Sequence, residues 1–197
     1  MKFSDESFIY RIMGIDNGTS LLGMVIMDLD LRTGRYKYID RDTLVAEKIL
    51  GVHLGTSASH GVRWAKCNAL YDSISASLRF YNPHSVAVET PFFMPGRVQS
   101  FEALTEMMIF IRRAVAEYNP MSDIYRVSPG EAKRAVQRKN FTMKKVVMKD
   151  CILALEQVDY PSDIDTTKFT EHEYDAIAVI IAHGEQTRKR LGFVKAV

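Results

Sequence analysis

Three acids stand where apolar stretches stop. Asp16 ends the run Ile9–Asp16, Glu89 closes Ser85-Val-Ala-Val-Glu89, and Asp175 lies inside Glu171-His172-Glu173-Tyr174-Asp175, just ahead of a long apolar segment. A carboxylate at the end of a buried strand is costly to desolvate unless it is paired or bound to metal. His172 and Asp175 are three residues apart, so on a helix they share a face. Three convergent carboxylates and an imidazole suit Mg²⁺ or Mn²⁺; both take hard oxygen ligands, and Mn²⁺ accepts a His more readily. Two such ions roughly 4 Å apart can activate a water and stabilise a leaving 3′ oxygen in phosphodiester hydrolysis. Taken singly, each acid has a plainer reading. Asp16, followed by Asn17-Gly18-Thr19, can be a turn former; Glu89 can be a strand-edge group reaching water; Glu171 and Glu173 can be complements to a helix dipole.

The elements that would position these acids can be read from periodicity and turn residues. Ile9–Asp16, Leu22–Asp28 and Tyr36–Val45 read as three strands joined by Asn17-Gly18-Thr19 and Thr33-Gly34, an antiparallel meander. Helices follow at Gly61–Tyr81, with Trp64, Leu70, Ile74 and Leu78 inward, and at Ser100–Tyr118, with Leu104, Met107, Met108, Ile111 and Val115 inward. Val86–Glu89 and Ile124–Val127 are short buried strands. Ser128-Pro129 opens a helix, with Glu131 in the capping-box position. Lys144–Leu155 and Glu171–Leu191 complete the helices. The expected architecture is α/β: a mixed five-stranded sheet, antiparallel meander plus parallel strands, flanked by helices on both faces. Ligands of such sheets gather at the carboxyl ends of the parallel strands. Asp16 and Glu89 both fall there.

Composition narrows the class. With 47% apolar and 25% charged residues in 197, the chain has the makeup of an ordinary globular protein and enough length for one substantial core. One domain spanning 1–197 is expected, with an N-terminal extension at 1–8 and a basic C-terminal tail at 185–197. No apolar run reaches the roughly 18–20 residues that span a bilayer, and the N-terminus does not read as a signal peptide. Cys67 and Cys151 read as buried thiols of a reducing compartment. The net charge of +2 is small, but between Arg126 and Lys149 eight cations (Arg126, Lys133, Arg134, Arg138, Lys139, Lys144, Lys145, Lys149) face one acid, Glu131. A basic stretch beside an acidic cluster suits an enzyme that grips phosphates and holds metal, although a solvated helical face would give the same pattern.

Gly14-Ile15-Asp16-Asn17-Gly18, Val88-Glu89-Thr90-Pro91-Phe92-Phe93 and His172-Glu173-Tyr174-Asp175-Ala176 together resemble the motifs of the RuvC family of Holliday-junction resolvases, from about Ile12 to about His183. Asn17 replaces the usual Pro. The resemblance implies the RNase H-like fold, a catalytic and metal-binding set of Asp16, Glu89, His172 and Asp175, and two ions per site. It implies functional lysines at Lys133, in Val127-Ser128-Pro129-Gly130-Glu131-Ala132-Lys133, and at Lys144 or Lys145. Phe92 would stack on an unpaired base; of Phe92 and Phe93, one is expected to pack in the core. Arg97, Arg134, Arg138 and Lys139 complete the expected DNA-contacting set. Branched DNA, above all the four-way junction, is the implied partner. Two symmetric cuts imply a homodimer, with the Met-rich face of Ser100–Tyr118 as the expected interface. A cytoplasmic setting, in a bacterium or a phage-infected host, follows from the same resemblance. The long second and third strands and the acidic loop from Gln157 to Glu171 depart from compact relatives. Three other readings stand beside this one: the phosphate-binding opening of actin-like sugar kinases, for which the chain lacks a second Gly-rich loop; a nuclease acting on RNA or an RNA–DNA hybrid; and a non-catalytic nucleic-acid-binding relative, which would have lost an acid.

Overall fold

The computed structural model describes residues 8–93, 95–122, 124–137 and 148–194. Its strands are β1 (Ile9–Asp16), β2 (Leu21–Asp30), β3 (Tyr36–Val45), β4 (Ser85–Glu89), β5 (Ile124–Val127) and β6 (Val158–Asp159). They form one sheet in the order β5-β4-β1-β2-β3-β6. The pairs β1–β2 and β2–β3 are antiparallel, whereas β1–β4, β4–β5 and β3–β6 are parallel. The meander-plus-parallel plan expected from the sequence is therefore present, with one more strand. β6 is two residues long, too short for a periodicity signal, and is fastened to the start of β3 by the Arg35–Asp159 ion pair.

The helices are α1 (Ala46–Ile49), α2 (Leu54–His60), α3 (Val62–Tyr81), α4 (Val98–Tyr118), α5 (Pro129–Val136), α6 (Met148–Leu153) and α7 (Glu171–Arg190). Strand alternation sorts the sheet residues onto two faces. On β1, Met13 and Ile15 join the core shared with α3 and α4, and Ile12 joins the core shared with α5, α6 and α7. By the same parity Asp16 and Glu89 point toward the α7 side, as Ile12 and Ala87 do.

Two glycines let α7 lie close against the meander. A Cβ at Gly14 would come within 2.5 Å of the Ala176 carbonyl oxygen, and one at Gly23 within 2.3 Å of that of His172. The space β1 and β2 give up there is taken by the start of α7.

Some expectations need correction. The Met-rich face of α4 is not free for an interface: Met107 and Met108 are buried against α3 and the sheet, because that stripe is the apolar side the helix needs for its own packing. Trp64 is only half buried, lying edge-on to Phe110 at 4.9 Å. The segment between β3 and α3 forms short helical turns, too short to carry a clear periodicity. Cys67 and Cys151 are buried free thiols, as expected. Among the described residues no helix is long and apolar enough to cross a membrane.

Candidate active site

Asp16 is the last residue of β1 and Glu89 the last of β4. The parallel pairing of Ile15 with Val88 sets the two acids side by side at the carboxyl edge. β4 pairs in turn with β5, Glu89 opposite Val127, and the chain then enters α5 through Ser128. The Ser128 hydroxyl accepts from the Glu131 amide at 3.2 Å, and Glu131 reaches back to the Ser128 amide at 2.8 Å, a complete capping box. One turn later Lys133 projects from α5, where its charge acts on both Glu89 and Asp175. Four separate elements thus deliver the site to one edge of the sheet.

The start of α7 is fixed with particular force. Thr170 and Glu173 form a second capping box, the Thr170 amide donating to Glu173 at 2.7 Å and the Glu173 amide to the Thr170 hydroxyl at 3.2 Å. Glu173 has only 1% of its side chain exposed and accepts from Arg41 Nη1 at 2.6 Å on each oxygen. Thr43 adds bonds to Glu173 at 3.0 Å and to Thr170 at 2.8 Å, and the Arg41 guanidinium lies 4.3 Å over the Phe169 ring. β3 therefore clamps the turn that carries His172 and Asp175. Glu173, which lies between the matched positions of the last motif, holds the start of α7 to β3. Its spacing from Thr170 was a readable capping-box signal, but its pairing with Arg41 spans 132 positions and has no local signature.

His172 Nδ1 lies 2.7 Å from Asp16 Oδ2. That hydrogen bond raises the imidazole's pKa, against some desolvation. Burial pushes Glu89 up to about 8, assisted by the charge of Asp16 and a hydrogen bond shared with it, and by Asp175; Lys133 opposes the shift. Burial likewise raises Asp175 to about 6, with Asp16 adding to it and His172 and Lys133 opposing. The cluster is short of positive charge. Among the described residues no group of three or more His, Cys, Asp and Glu side chains is closed around a point as a metal site. The donor set nevertheless fits a hard divalent cation: mutually repelling carboxylates in a poorly solvated edge, opposed among the described residues by His172 and Lys133.

Of the remaining expected residues, Phe92 and Phe93 are 65% and 52% exposed, so neither packs in the core; Phe93 lies edge-on to Phe101 at 5.6 Å. Both sit on the loop that follows Glu89, which has no partner strand to cover it. Arg97 is exposed at the start of α4. Arg134 is exposed on α5, and its charge acts on Glu131. Arg138, Lys139, Lys144 and Lys145 lie outside the described residues. Sequence reading missed Asn17, whose amide donates at 3.0 Å to the Leu104 carbonyl and joins the end of β1 to α4.

No family model matches the chain. Two curated relatives align over nearly all of it. A crossover junction endodeoxyribonuclease RuvC from Syntrophomonas wolfei is 27% identical over 175 residues, 88% of this chain and 87% of the relative. One from Cytophaga hutchinsonii is 25% identical over 185 residues, 92% of this chain and 80% of the relative. The chain is thus similar to RuvC resolvases over nearly its whole length. Its fold agrees: the structure of T. thermophilus RuvC in complex with Holliday junction substrate superposes with a TM-score of 0.63 at 20% identity, covering 95% of this chain and 99% of that one. The shared architecture is the RNase H-like sheet. The segments that resemble RuvC motifs, at Asp16, Glu89 and His172–Asp175, lie at one edge of that sheet.

Proposed function

We propose that this RuvC-like chain is a metal-dependent endonuclease that cuts branched DNA, four-way junctions among them. The observation that carries the reading is the convergence of Asp16, Glu89 and Asp175, with His172 and Lys133, at the carboxyl edge of the parallel strands. Asp16, Glu89, Asp175 and His172 would hold two Mg²⁺ or Mn²⁺ ions, which when bound would supply positive charge to the scissile phosphate and acidify a water. In the hydrolysis a water oxygen bonds to phosphorus as the P–O3′ bond breaks. The 3′ oxygen takes up a proton, leaving a 5′-phosphate and a 3′-hydroxyl.

The chain's own groups divide the remaining work. Lys133 presents an exposed ammonium beside the acids, where a phosphate of the cut strand would lie. His172 orients Asp16 through its Nδ1. The exposed rings of Phe92 and Phe93 offer a stacking surface for bases unpaired at a branch, worth roughly 1–3 kcal/mol per base. Arg97, Arg134 and the basic segment 138–145 add sequence-independent grip on the backbone. Two symmetric cuts need two sites, so the active form is a two-fold dimer, and it buries a surface other than the Met face of α4.

The test is cleavage of a four-way junction, a flap, a linear duplex and an RNA–DNA hybrid, with Mg²⁺ and with Mn²⁺. The junction should be cut fastest, with no cleavage in chelator. Asp16→Asn and Asp175→Asn should bind the junction without cutting it. Near wild-type cutting by either variant would overturn the site, and preference for the hybrid would reassign the substrate.

A further inference from the structure

Beside the carboxylates, between the β1–β2 turn and the first turns of α4, lies a groove of about 480 Å³. That is the size range of small-ligand clefts. Leu21 and Leu104 give it apolar surface, Thr19, Ser20, Gln99 and Ser100 give hydroxyls and an amide, and His172 lines it as well. Among the described residues no Lys, Arg, Asp or Glu lines it. Such a lining is poor for a phosphate, which calls for cations or a cluster of amides. It suits a nucleoside, whose base has apolar faces and hydrogen-bonding edges.

Two further observations tie the groove to the site. His172 is shared: it lines the groove and holds Asp16 at 2.7 Å. Asn17 spans the two walls from beneath, donating to the Leu104 carbonyl, and its Oδ1 is buried with no partner among the described residues. The Pro usual at that position in the family has no side-chain donor for such a tie. The spacing of the walls is thus set by a residue adjacent to Asp16.

We infer that this groove receives the nucleoside next to the scissile phosphate, and that Gln99 and Ser100 read its base. The inference rests on the nuclease reading. A base seated here is joined through its sugar to a phosphate beside His172, within reach of the acids. A Gln amide donates and accepts side by side, as an adenine edge does, and a matched pair of that kind is worth about tenfold in discrimination. Gln99 and Ser100 are exposed, so their replacement leaves the core untouched.

The experiment uses the full chain and a library of four-way junctions randomised at the nucleotides flanking each cut. The wild type should favour one base at a flanking position, and Gln99→Ala and Ser100→Ala should flatten that preference by about tenfold. An unchanged distribution of cuts, or a wild type without preference, would overturn the inference. A second arm needs no cleavage: amide NMR of the metal-free chain titrated with trinucleotides. Shifts at Thr19, Ser20, Gln99 and Ser100 that depend on the base, and lose that dependence in Gln99→Ala, support the groove; shifts confined elsewhere sink it. Base-dependent shifts with no cutting of any substrate would sink the nuclease reading instead.

Discussion

The two ends of one sheet treat buried polar groups in opposite ways. Toward the amino ends of β1 and β4, Arg11 grips Asp28 through two bonds of 2.7 and 2.9 Å and also donates to the Tyr81 carbonyl at 3.1 Å. Ser85 and His183 pair at 2.9 Å, with the imidazole lying against Tyr125 at 3.8 Å between ring centres. Charge meets opposite charge there, or neutral meets neutral. At the carboxyl ends, three acids crowd one edge, and Glu89 and Asp175 are pushed up mainly by burial. At the first end the charged groups are matched among the described residues, and the Tyr125 hydroxyl is left as a buried polar atom without a partner. The second holds carboxylates that burial and mutual repulsion set against ionisation, the pattern on which the proposed site rests.

The comparison breaks most sharply on activity. Asp16→Asn should lower the cleavage rate about a thousandfold, the loss of roughly 4 kcal/mol of transition-state stabilisation. Replacing Arg11 by Met together with Asp28 by Leu should leave the rate per folded molecule within about twofold of wild type. Single-turnover cleavage of a junction measures both. Equal losses at the two ends would erase the distinction.

Next in size is the clamp on α7. Arg41→Ala strands Glu173, a carboxylate 1% exposed, and should cost about 3 kcal/mol of stability in urea unfolding. Replacing Arg41 and Glu173 together by Met and Leu should recover most of that loss. A single-variant cost under about 1 kcal/mol would show that solvent, reaching the partly exposed arginine, already carries the pair.

What could be read in the chain before its structure divides along physical lines. Asp16 and Glu89, with the strands that end at them, were legible because burial imposes a local pattern of an apolar run and then an acid; Asp175 was legible as the acid just ahead of the apolar stretch of α7. Ser128 with Glu131 announced α5 through its capping-box spacing, a local hydrogen-bonding pattern. Arg41–Glu173 and Asn17–Leu104 were not legible, since each joins residues 132 or 87 positions apart and neither partner looks unusual alone. The inward face of α4 was legible from its periodicity, Met107 and Met108 included; the interface role given to the same stripe was the part that failed, because those side chains are already used in the chain's own core. The expectation that one of Phe92 and Phe93 packs in the core failed, because the loop after Glu89 leaves both rings exposed.

A smaller effect sharpens the matched end. Burial lowers the His183 pKa to about 3, with a lesser contribution from Arg190. The unfolded chain takes up a proton below about pH 6.5 that the folded chain refuses, so this contribution to stability falls as the pH drops from there toward 3. The slope is at most about 1.4 kcal/mol per pH unit for one proton. His183→Asn should flatten that acid limb in thermal melts from pH 7 to pH 4, while costing stability at pH 7 through the lost stacking on Tyr125. An unaltered limb would assign the acid sensitivity to groups elsewhere.

The smallest effect separates the two capping boxes. Ser128→Ala and Thr170→Ala each remove a cap worth about 1 kcal/mol. Thr170 also bonds Thr43 at 2.8 Å and stands over Glu173, whereas the bonds of Ser128 close on its own box through Glu131. Thr170→Ala should therefore cost more stability. Its effect on cleavage should exceed that of Ser128→Ala as well, because Thr170 precedes the turn that aims His172 and Asp175, while α5 carries only Lys133. Thr170→Ser keeps the hydroxyl and should restore both quantities. If Ser128→Ala slowed cleavage more than Thr170→Ala at equal stability, the lysine rather than the α7 acids would be the group whose placement limits the reaction.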